Sequence, residues 1–202
     1  MATQSENNTH FIEINPQPPQ KTQQQSRAEL FLSRIARLLA SELNTLFESQ
    51  SSKQNPEVSQ PDSRKTSAES IFSFLVNCAT IAQLTEAELL YTTCLVEMLI
   101  TAQLNSDSPS TDLIIRNNLG TLLLCSVIIT TKMLRDSPYT NKEWARHFGV
   151  PLADLNKSER IFLSRHNFQV SVPESAIMTM LHAIEIFDCK HTTHRSHVPE
   201  RV

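Results

Sequence analysis

The sequence is organised around one apolar stretch, Leu119-Gly-Thr-Leu-Leu-Leu-Cys-Ser-Val-Ile-Ile-Thr-Thr-Lys132, which carries no charge before its last residue. Its length and composition favour a helix that is apolar on nearly every side. Such a helix must be surrounded by other helices, because it has no polar stripe for water. The stretch therefore predicts the centre of a helical bundle, with the segments that follow it packed against it as far as Pro173.

Two helices are predicted directly after this stretch. The first is short, with Asn141 as its expected cap and Gly149 in the position typical of a helix end. The second runs from about Leu152 to Asn167. Its apolar residues are expected to face the core: Leu155, Ile161, Phe162 and Phe168.

The segments before the stretch also have helical patterns. One helix begins at about Ser70, and Thr85 with Glu88 three residues later is a capping-box signature that begins the next. Thr111 or Asp112 is the expected cap of the central helix, which is predicted to run to about Arg135. No alternation typical of a strand occurs, so the predicted class is all-α.

Composition divides the rest of the chain. Residues 1–26 are polar and rich in Gln and Pro, and they are predicted to be disordered. Residues 27–49 form an amphipathic helix, for which packing on the domain is favoured over binding a partner. Residues 50–69 read as a linker, 70–187 as the helical domain with a last helix from Glu174 to Phe187, and 188–202 as a disordered tail.

Several function classes are disfavoured by what the sequence lacks. The net charge is −3, so no basic field attracts nucleic acid. With Gly120 and Gly149 as the only glycines, there is no Gly-rich phosphate loop, and no catalytic motif is found. We expect no enzyme activity, no cofactor and no small-molecule substrate. Histidines in the C-terminal tail would bind metal only weakly, so no metal site is expected.

Cysteine spacing and hydropathy indicate where the protein is found. The four cysteines are too widely spaced for a zinc site, and buried thiols are the favoured interpretation. The N-terminus lacks the features of a signal peptide. The uncharged run Leu119–Thr131 is shorter than the roughly 20 residues that a membrane span requires. We therefore expect an intracellular protein, cytoplasmic or nuclear, without a membrane partner.

The segment from Trp144 to Asn156 has the outline of a helix-turn-helix. A DNA reader should offer basic and amide side chains from its second helix. This helix offers Asp154 and Glu159 beside Asn156 and Lys157, within an acidic protein. Packing geometry without DNA chemistry is the better interpretation, and DNA binding remains the weaker alternative.

A set of ordered motifs between Ser70 and about Leu181 resembles the cyclin box. The similarity is greatest to the single-box cyclins of the yeast phosphate-response and plant P/U types. The matching residues are Leu123-Leu124, Lys132-Met133-Leu134-Arg135-Asp136, Tyr139, Asn141, Trp144-Ala145, Gly149-Val150, Leu152, Leu155-Asn156, Glu159, Phe162-Leu163, Phe168, Val170 and Val172. The resemblance implies a five-helix cyclin box with an additional N-terminal helix and a C-terminal helix.

The resemblance also implies a function. Cyclins bind a cyclin-dependent protein kinase as a heterodimer and hold its C-helix in the active position. By the motif match, the polar contacts to the kinase come from Lys132 and Glu159, and Asp136 lies near the activation segment. The alternative for the first two is an intramolecular salt bridge, and both can hold. The alternative for Asp136 is a loop acid without a role, and an adaptor for a non-kinase partner is the alternative for the whole chain.

One departure from the family pattern lies late in the helix that begins near Thr85. Family members usually carry Asp-Arg there, where this chain has Glu97-Met98. The arginine commonly helps to tie helices together, so the resemblance implies a bundle that is less stable or tied differently.

Overall fold

The computed structural model describes residues 20–54, 66–105, 114 and 116–192. This part of the chain contains helices and no strand, which confirms the all-α class. The α-helices are α1 (Gln20–Gln54), α2 (Ala68–Ala82), α3 (Glu86–Leu104), α4 (Leu119–Leu134), α5 (Asn141–Phe148), α6 (Leu152–Arg165) and α7 (Glu174–Thr192). A 3₁₀ turn, Arg116–Asn118, precedes α4.

Helix α4 lies at the centre of the bundle, as its sequence predicted. Every side chain from Leu122 to Thr131 is buried, and α4 packs against α2, α3 and α6. The buried hydroxyls have partners: Thr92 of α3 donates to Thr130 at 3.0 Å, and Ser126 donates to a backbone carbonyl of its own helix at 2.8 Å. These hydroxyl groups are therefore buried without the cost of an unpaired hydrogen-bonding group.

Helix α1 packs on the domain through its apolar face, and this confirms the favoured interpretation. The side chain of Asn44 fastens it to the start of the domain, with both atoms of its amide bonded to the backbone of Thr66 at 2.8 and 3.1 Å. The buried residues are Leu32, Ile35, Ala36, Leu38, Leu39, Ala40, Leu43, Leu46 and Phe47. The helix is longer at both ends than the apolar stripe predicted, because Gln, Lys and Ser continue a helix without adding an apolar signal.

The helix ends follow the predicted chemistry in part. The Thr85–Glu88 capping box is present in full at the start of α3. Helix α4 begins only at Leu119, without a side-chain cap, whereas a cap at Thr111 or Asp112 was predicted; both of those residues lie outside the described part of the chain. Helix α7 runs to Thr192, five residues beyond the predicted end at Phe187.

Tyr91 of α3 holds the segment that closes the domain after α6. Its hydroxyl donates to the carbonyl oxygen of Val170 at 2.8 Å and accepts from the backbone N–H of Val172 at 3.1 Å. All three residues are buried. One side chain thus satisfies two buried backbone groups of a segment that has no regular structure.

We expect Tyr91→Phe to lower the free energy of unfolding by about 1–3 kcal/mol, because it leaves a buried carbonyl and a buried N–H unpaired. Urea unfolding followed by the fluorescence of the single tryptophan measures this change. The matched control is Tyr139→Phe, at a tyrosine that is 38% exposed. Equal losses for the two variants would contradict the role of the Tyr91 hydroxyl.

Glu42 of α1 is partly buried and lies close enough to Glu97 of α3 to be affected by its charge. Burial, and to a smaller extent the negative charge of Glu97, together raise the pKa of Glu42 to about 7. One carboxylate oxygen of Glu42 is buried without a hydrogen-bond partner in the described part of the chain. Glu97 itself accepts from Thr101 at 3.1 Å. This contact therefore favours a protonated Glu42.

The folded protein should lose stability as the pH rises toward the raised pKa of Glu42. Glu42 binds its proton more tightly in the folded state than in the unfolded state, so stability falls as the pH rises from about 4.5 to about 7 and is then constant. We expect Glu42→Gln to be more stable than the wild type by about 1–2 kcal/mol at pH 8 and equal to it at pH 4. Melting temperatures across this range test the sign, with Glu48→Gln as the exposed control on α1. A gain at pH 4 that matches the gain at pH 8 would contradict it.

The cysteines with described side chains are free and buried. Burial raises the pKa of the Cys78 and Cys125 thiols to about 12 and that of Cys94 to about 11. Cys189 lies outside the described side chains. The prediction of buried thiols is thus confirmed for three of the four cysteines.

One helix of the described chain is long and apolar enough to cross a membrane by length and composition alone, and this is α3. Of its apolar window, 61% is buried inside the bundle. A helix inside a helical bundle has the same apolar composition as a membrane-spanning helix, because each has apolar surroundings on all sides. The apolar character of α3 is therefore explained by its packing against α1, α4 and α7.

Candidate functional site

The two residues predicted to contact a kinase lie together at the surface. Lys132, in the last turn of α4, donates from Nζ to Oε1 of Glu159 on α6 at 2.6 Å. The lysine side chain is 37% exposed and the glutamate side chain 13% exposed. The structure thus brings together two residues that are 27 positions apart in sequence, as the salt-bridge alternative predicted.

Two asparagines extend this contact into a network. Asn141, the first residue of α5, donates from Nδ2 to Oε2 of Glu159 at 2.6 Å. The same nitrogen donates to Oδ1 of Asn156 on α6 at 2.8 Å. Both oxygens of the Glu159 carboxylate are therefore occupied, one from α4 and one from α5. We call Lys132, Asn141, Asn156 and Glu159 the polar tetrad.

Helix α5 is fixed at both ends and along its buried face. It begins at a capping box formed by Thr140 and Glu143, not at the predicted cap Asn141. Both threonine and asparagine favour that position, and Asn141 instead takes the first helical position, where its side chain is free to reach α6. Gly149 ends the helix with φ of 64°, in the left-handed conformation that glycine adopts without strain.

Trp144 anchors α5 in the core. Its side chain is fully buried, with Tyr139 edge-on at 5.9 Å and Phe148 at 6.0 Å between ring centroids. Phe148 in turn packs against Phe74 of α2 at 5.5 Å. This cluster fixes the start of α5, and with it the position of Asn141 beside α6.

A groove between α4 and α6 adjoins the tetrad. Its cavity volume is about 170 Å³, and both apolar and polar residues line it. The lining residues are Asn118, Thr121, Leu122, Cys125, Ser158, Ile161 and Phe162. Lys132 and Glu159 belong to the same two helices and lie toward the C-terminal end of α4. The surface therefore combines an apolar groove with a charged pair.

Two residues predicted for the core are on the surface instead. Ile161 is 41% exposed and forms one wall of the groove, while Phe162 beside it is buried. Phe168 is 70% exposed and has a φ of 59°, in a turn that ends α6. Helical periodicity marks both residues as facing inward, but it cannot separate a core from the wall of an open groove.

A family model describes most of this chain. The cyclin model matches residues 3–170, which extends from before α1 to the segment after α6. The chain belongs to the cyclin family. No match to it was found among curated proteins. Cyclins are regulatory rather than catalytic, so this cyclin is expected to act on a protein partner through its surface.

The tetrad consists of residues that carried the resemblance in the sequence. Lys132, Asn141 and the pair Asn156 and Glu159 come from three separate parts of the family pattern, and the fold brings them within hydrogen-bond distance. The convergence identifies this surface as the candidate functional site.

Asp136 does not join the tetrad. It lies in the loop between α4 and α5, is exposed, and forms no ion pair or side-chain hydrogen bond with the described part of the chain. Met133 and Leu134, just before it, are each 48% exposed. The end of α4 thus presents apolar side chains and one acid to solvent.

Arg135 ties α4 to the turn between α2 and α3, and the sequence analysis missed this role. Its guanidinium forms an ion pair with both carboxylate oxygens of Glu88 and donates to the carbonyl oxygens of Ala82 and Gln83 at 2.8 and 3.2 Å. The bond from Arg135 holds the pKa of Glu88 below its usual value. The departure at Glu97-Met98 suggested a different tie between helices, but sequence gave no sign of its location.

The described side chains contain no group of three His, Cys, Asp or Glu residues that could hold a metal ion. The histidines of the C-terminal tail lie outside the described side chains. The candidate site itself offers hydrogen-bonding groups and an apolar groove, which suits recognition of another protein.

Proposed function

We propose that this cyclin binds and activates a cyclin-dependent protein kinase by holding the kinase C-helix in its active position. The observation that carries the proposal is the groove between α4 and α6 with the Lys132–Glu159 pair beside it. An amphipathic helix of a partner binds in such grooves through apolar residues along one face. Ile161 is the exposed apolar residue that such a helix would cover.

The charged pair has capacity left for a partner. An ammonium group carries three donors, and Lys132 uses one of them on Glu159. Its exposed Nζ end can donate to the free carbonyl groups at the end of a partner helix, with the strength of a charge-assisted bond. Glu159 is less exposed, so its main part is to orient Lys132 and to accept from any donor that approaches along the groove.

Activation of the kinase follows from selective binding. A ligand shifts a conformational equilibrium only by binding one state more tightly than the other. A groove that accepts the C-helix only in its active position does this, because the inactive position separates the helix end from Lys132 and exposes the groove again. The cyclin then stabilises the active kinase without taking part in the chemistry.

The proposal also covers the branch of the cyclin family, the role of Asp136 and the location of the complex. The order of motifs supports membership of the single-box branch that includes the yeast phosphate-response and plant P/U-type cyclins. Asp136 lies beside the exposed Met133 and Leu134, and we assign it to the kinase-facing surface. We place the complex in the cytoplasm or nucleus.

A pull-down from lysate of the cells that make this protein tests the function. The bait is the wild-type chain, compared with Lys132→Glu and with Lys157→Glu, which changes the charge of an exposed lysine on α6. We expect mass spectrometry to identify a cyclin-dependent kinase with wild type and Lys157→Glu, and not with Lys132→Glu. A non-kinase partner that is lost with Lys132→Glu would support the adaptor function instead.

A further inference from the structure

Asn141 of α5 contacts both tetrad residues of α6, Asn156 and Glu159, through a single nitrogen. Its Nδ2 lies 2.6 Å from Glu159 and 2.8 Å from Asn156. The orientation of the amide is fixed by chemistry, because a carboxylate paired with lysine only accepts hydrogen bonds. The nitrogen must therefore face Glu159, and the neighbouring Asn156 must present its oxygen.

We propose that Asn141 is a positioning residue of the partner-binding site, which fixes the plane of the Glu159 carboxylate and through it the direction of Lys132. This inference rests on the proposed function and adds a residue to it. The terminal torsion of a glutamate is broad, so one bond from Lys132 does not fix the carboxylate. A second bond from a different helix does, and Asn141 supplies it.

The backbone that carries Asn141 is held in place by contacts at the start of α5. This backbone is the first turn of α5, which is held by the capping box of Thr140 and by the buried Trp144. The Oδ1 of Asn141 is buried and has no hydrogen-bond partner among the described residues. Asparagine at this position therefore leaves one buried acceptor unpaired, which is unfavourable for stability. The side chain is explained by what its nitrogen does for Glu159.

Positioning matters because ordering a long side chain at an interface costs free energy on binding. With Asn141 present, the pair is ordered before the partner arrives. Without it, Glu159 and Lys132 must both be ordered in the complex. We expect Asn141→Ala to weaken binding to the kinase by about tenfold, which corresponds to ordering one or two side chains.

Asn141→Asp separates positioning from a merely structural role. An acid in the first turn of a helix is favourable to the helix, so α5 itself should not be weakened by this change. The substitution keeps the shape of the side chain but replaces the donor with an acceptor that faces Glu159 and Asn156. We expect this variant also to lose about tenfold in affinity, since like charges repel where a bond stood.

The test measures affinity for the purified kinase identified with wild type, using wild type, Asn141→Ala, Asn141→Asp and Thr140→Ala. Thr140→Ala weakens the same helix end through its cap without touching Glu159, and it should change affinity by less than about twofold. Asn141→Ala and Asn141→Asp are then each combined with Glu159→Ala, and the affinities are measured again. If Asn141 acts through Glu159, its replacement adds less than about twofold in that background.

The outcomes are distinct. Full additivity of the Asn141 and Glu159 variants, or an equal loss with Thr140→Ala, overturns the positioning role and leaves the proposed function standing. Unchanged affinity for both Asn141 variants does the same. If the wild-type chain binds no cyclin-dependent kinase in the pull-down, the proposed function and this inference both fail.

Discussion

Lys132→Glu and Glu159→Lys should each weaken binding to the partner kinase by about 100-fold, because each leaves a like charge or an unpaired charge in a desolvated contact. The direct bond between these residues is 2.6 Å long in the free protein, so each single variant also replaces an attraction with a repulsion. Titration calorimetry with the purified kinase measures the affinity. Lys157→Glu is the matched control for Lys132→Glu, since it makes the same change in net charge at an exposed site on α6.

The exchanged pair separates binding from folding. Lys132→Glu combined with Glu159→Lys restores an attraction between α4 and α6, but the negative charge is then on α4 and the positive charge on α6. A surface ion pair contributes at most about 1 kcal/mol to stability, so the double variant should unfold within about that range of the wild type. Its affinity should remain as low as that of the single variants. Recovery of affinity in the double variant would mean that the pair serves only the fold.

Trp144→Ala should have the largest effect on stability, with a loss of about 3–5 kcal/mol in the free energy of unfolding. The side chain is fully buried and contacts Tyr139 and Phe148. Its removal leaves a cavity between α5 and the rest of the bundle, because backbone on both sides is held by other contacts. Urea unfolding followed by circular dichroism measures the change, since the variant lacks the only tryptophan.

Two comparisons make this result specific. Trp144→Phe keeps an aromatic ring and should lose less than Trp144→Ala. His147→Ala, at an exposed residue of the same helix, should change stability by less than about 0.5 kcal/mol. If Trp144→Ala lost no more than His147→Ala, the anchoring of α5 by Trp144 would be contradicted.

The fold was predictable where one physical signal dominated. The uncharged run of α4 could only be surrounded by other helices, and its side chains from Leu122 to Thr131 are buried. The cap at Thr85 and the glycine at the end of α5 rest on local backbone chemistry, which sequence shows directly. Periodicity predicted the packing of α1 but not its length, because polar helix formers extend a helix without an apolar pattern.

The contact between Lys132 and Glu159 was predictable from the sequence, whereas the residues that support this pair were not. The motif match pointed to Lys132 and Glu159, but Asn141 was taken for a helix cap because its residue type suits both roles. The contact between Arg135 and Glu88 joins residues 47 positions apart, and no local pattern connects them. Ile161 and Phe168 followed the periodicity of buried residues and are exposed, because the groove and the turn after α6 depend on tertiary packing.

The central claim is that this cyclin activates a kinase, and the most direct test measures kinase activity. The purified partner kinase would phosphorylate a peptide substrate with ATP, alone and with increasing amounts of the cyclin. We expect the rate to rise by at least about tenfold and to saturate at a one-to-one ratio, since a preference of about 1.4 kcal/mol for the active conformation already shifts the equilibrium tenfold. Saturable binding to the kinase with no change in its rate would contradict the claim.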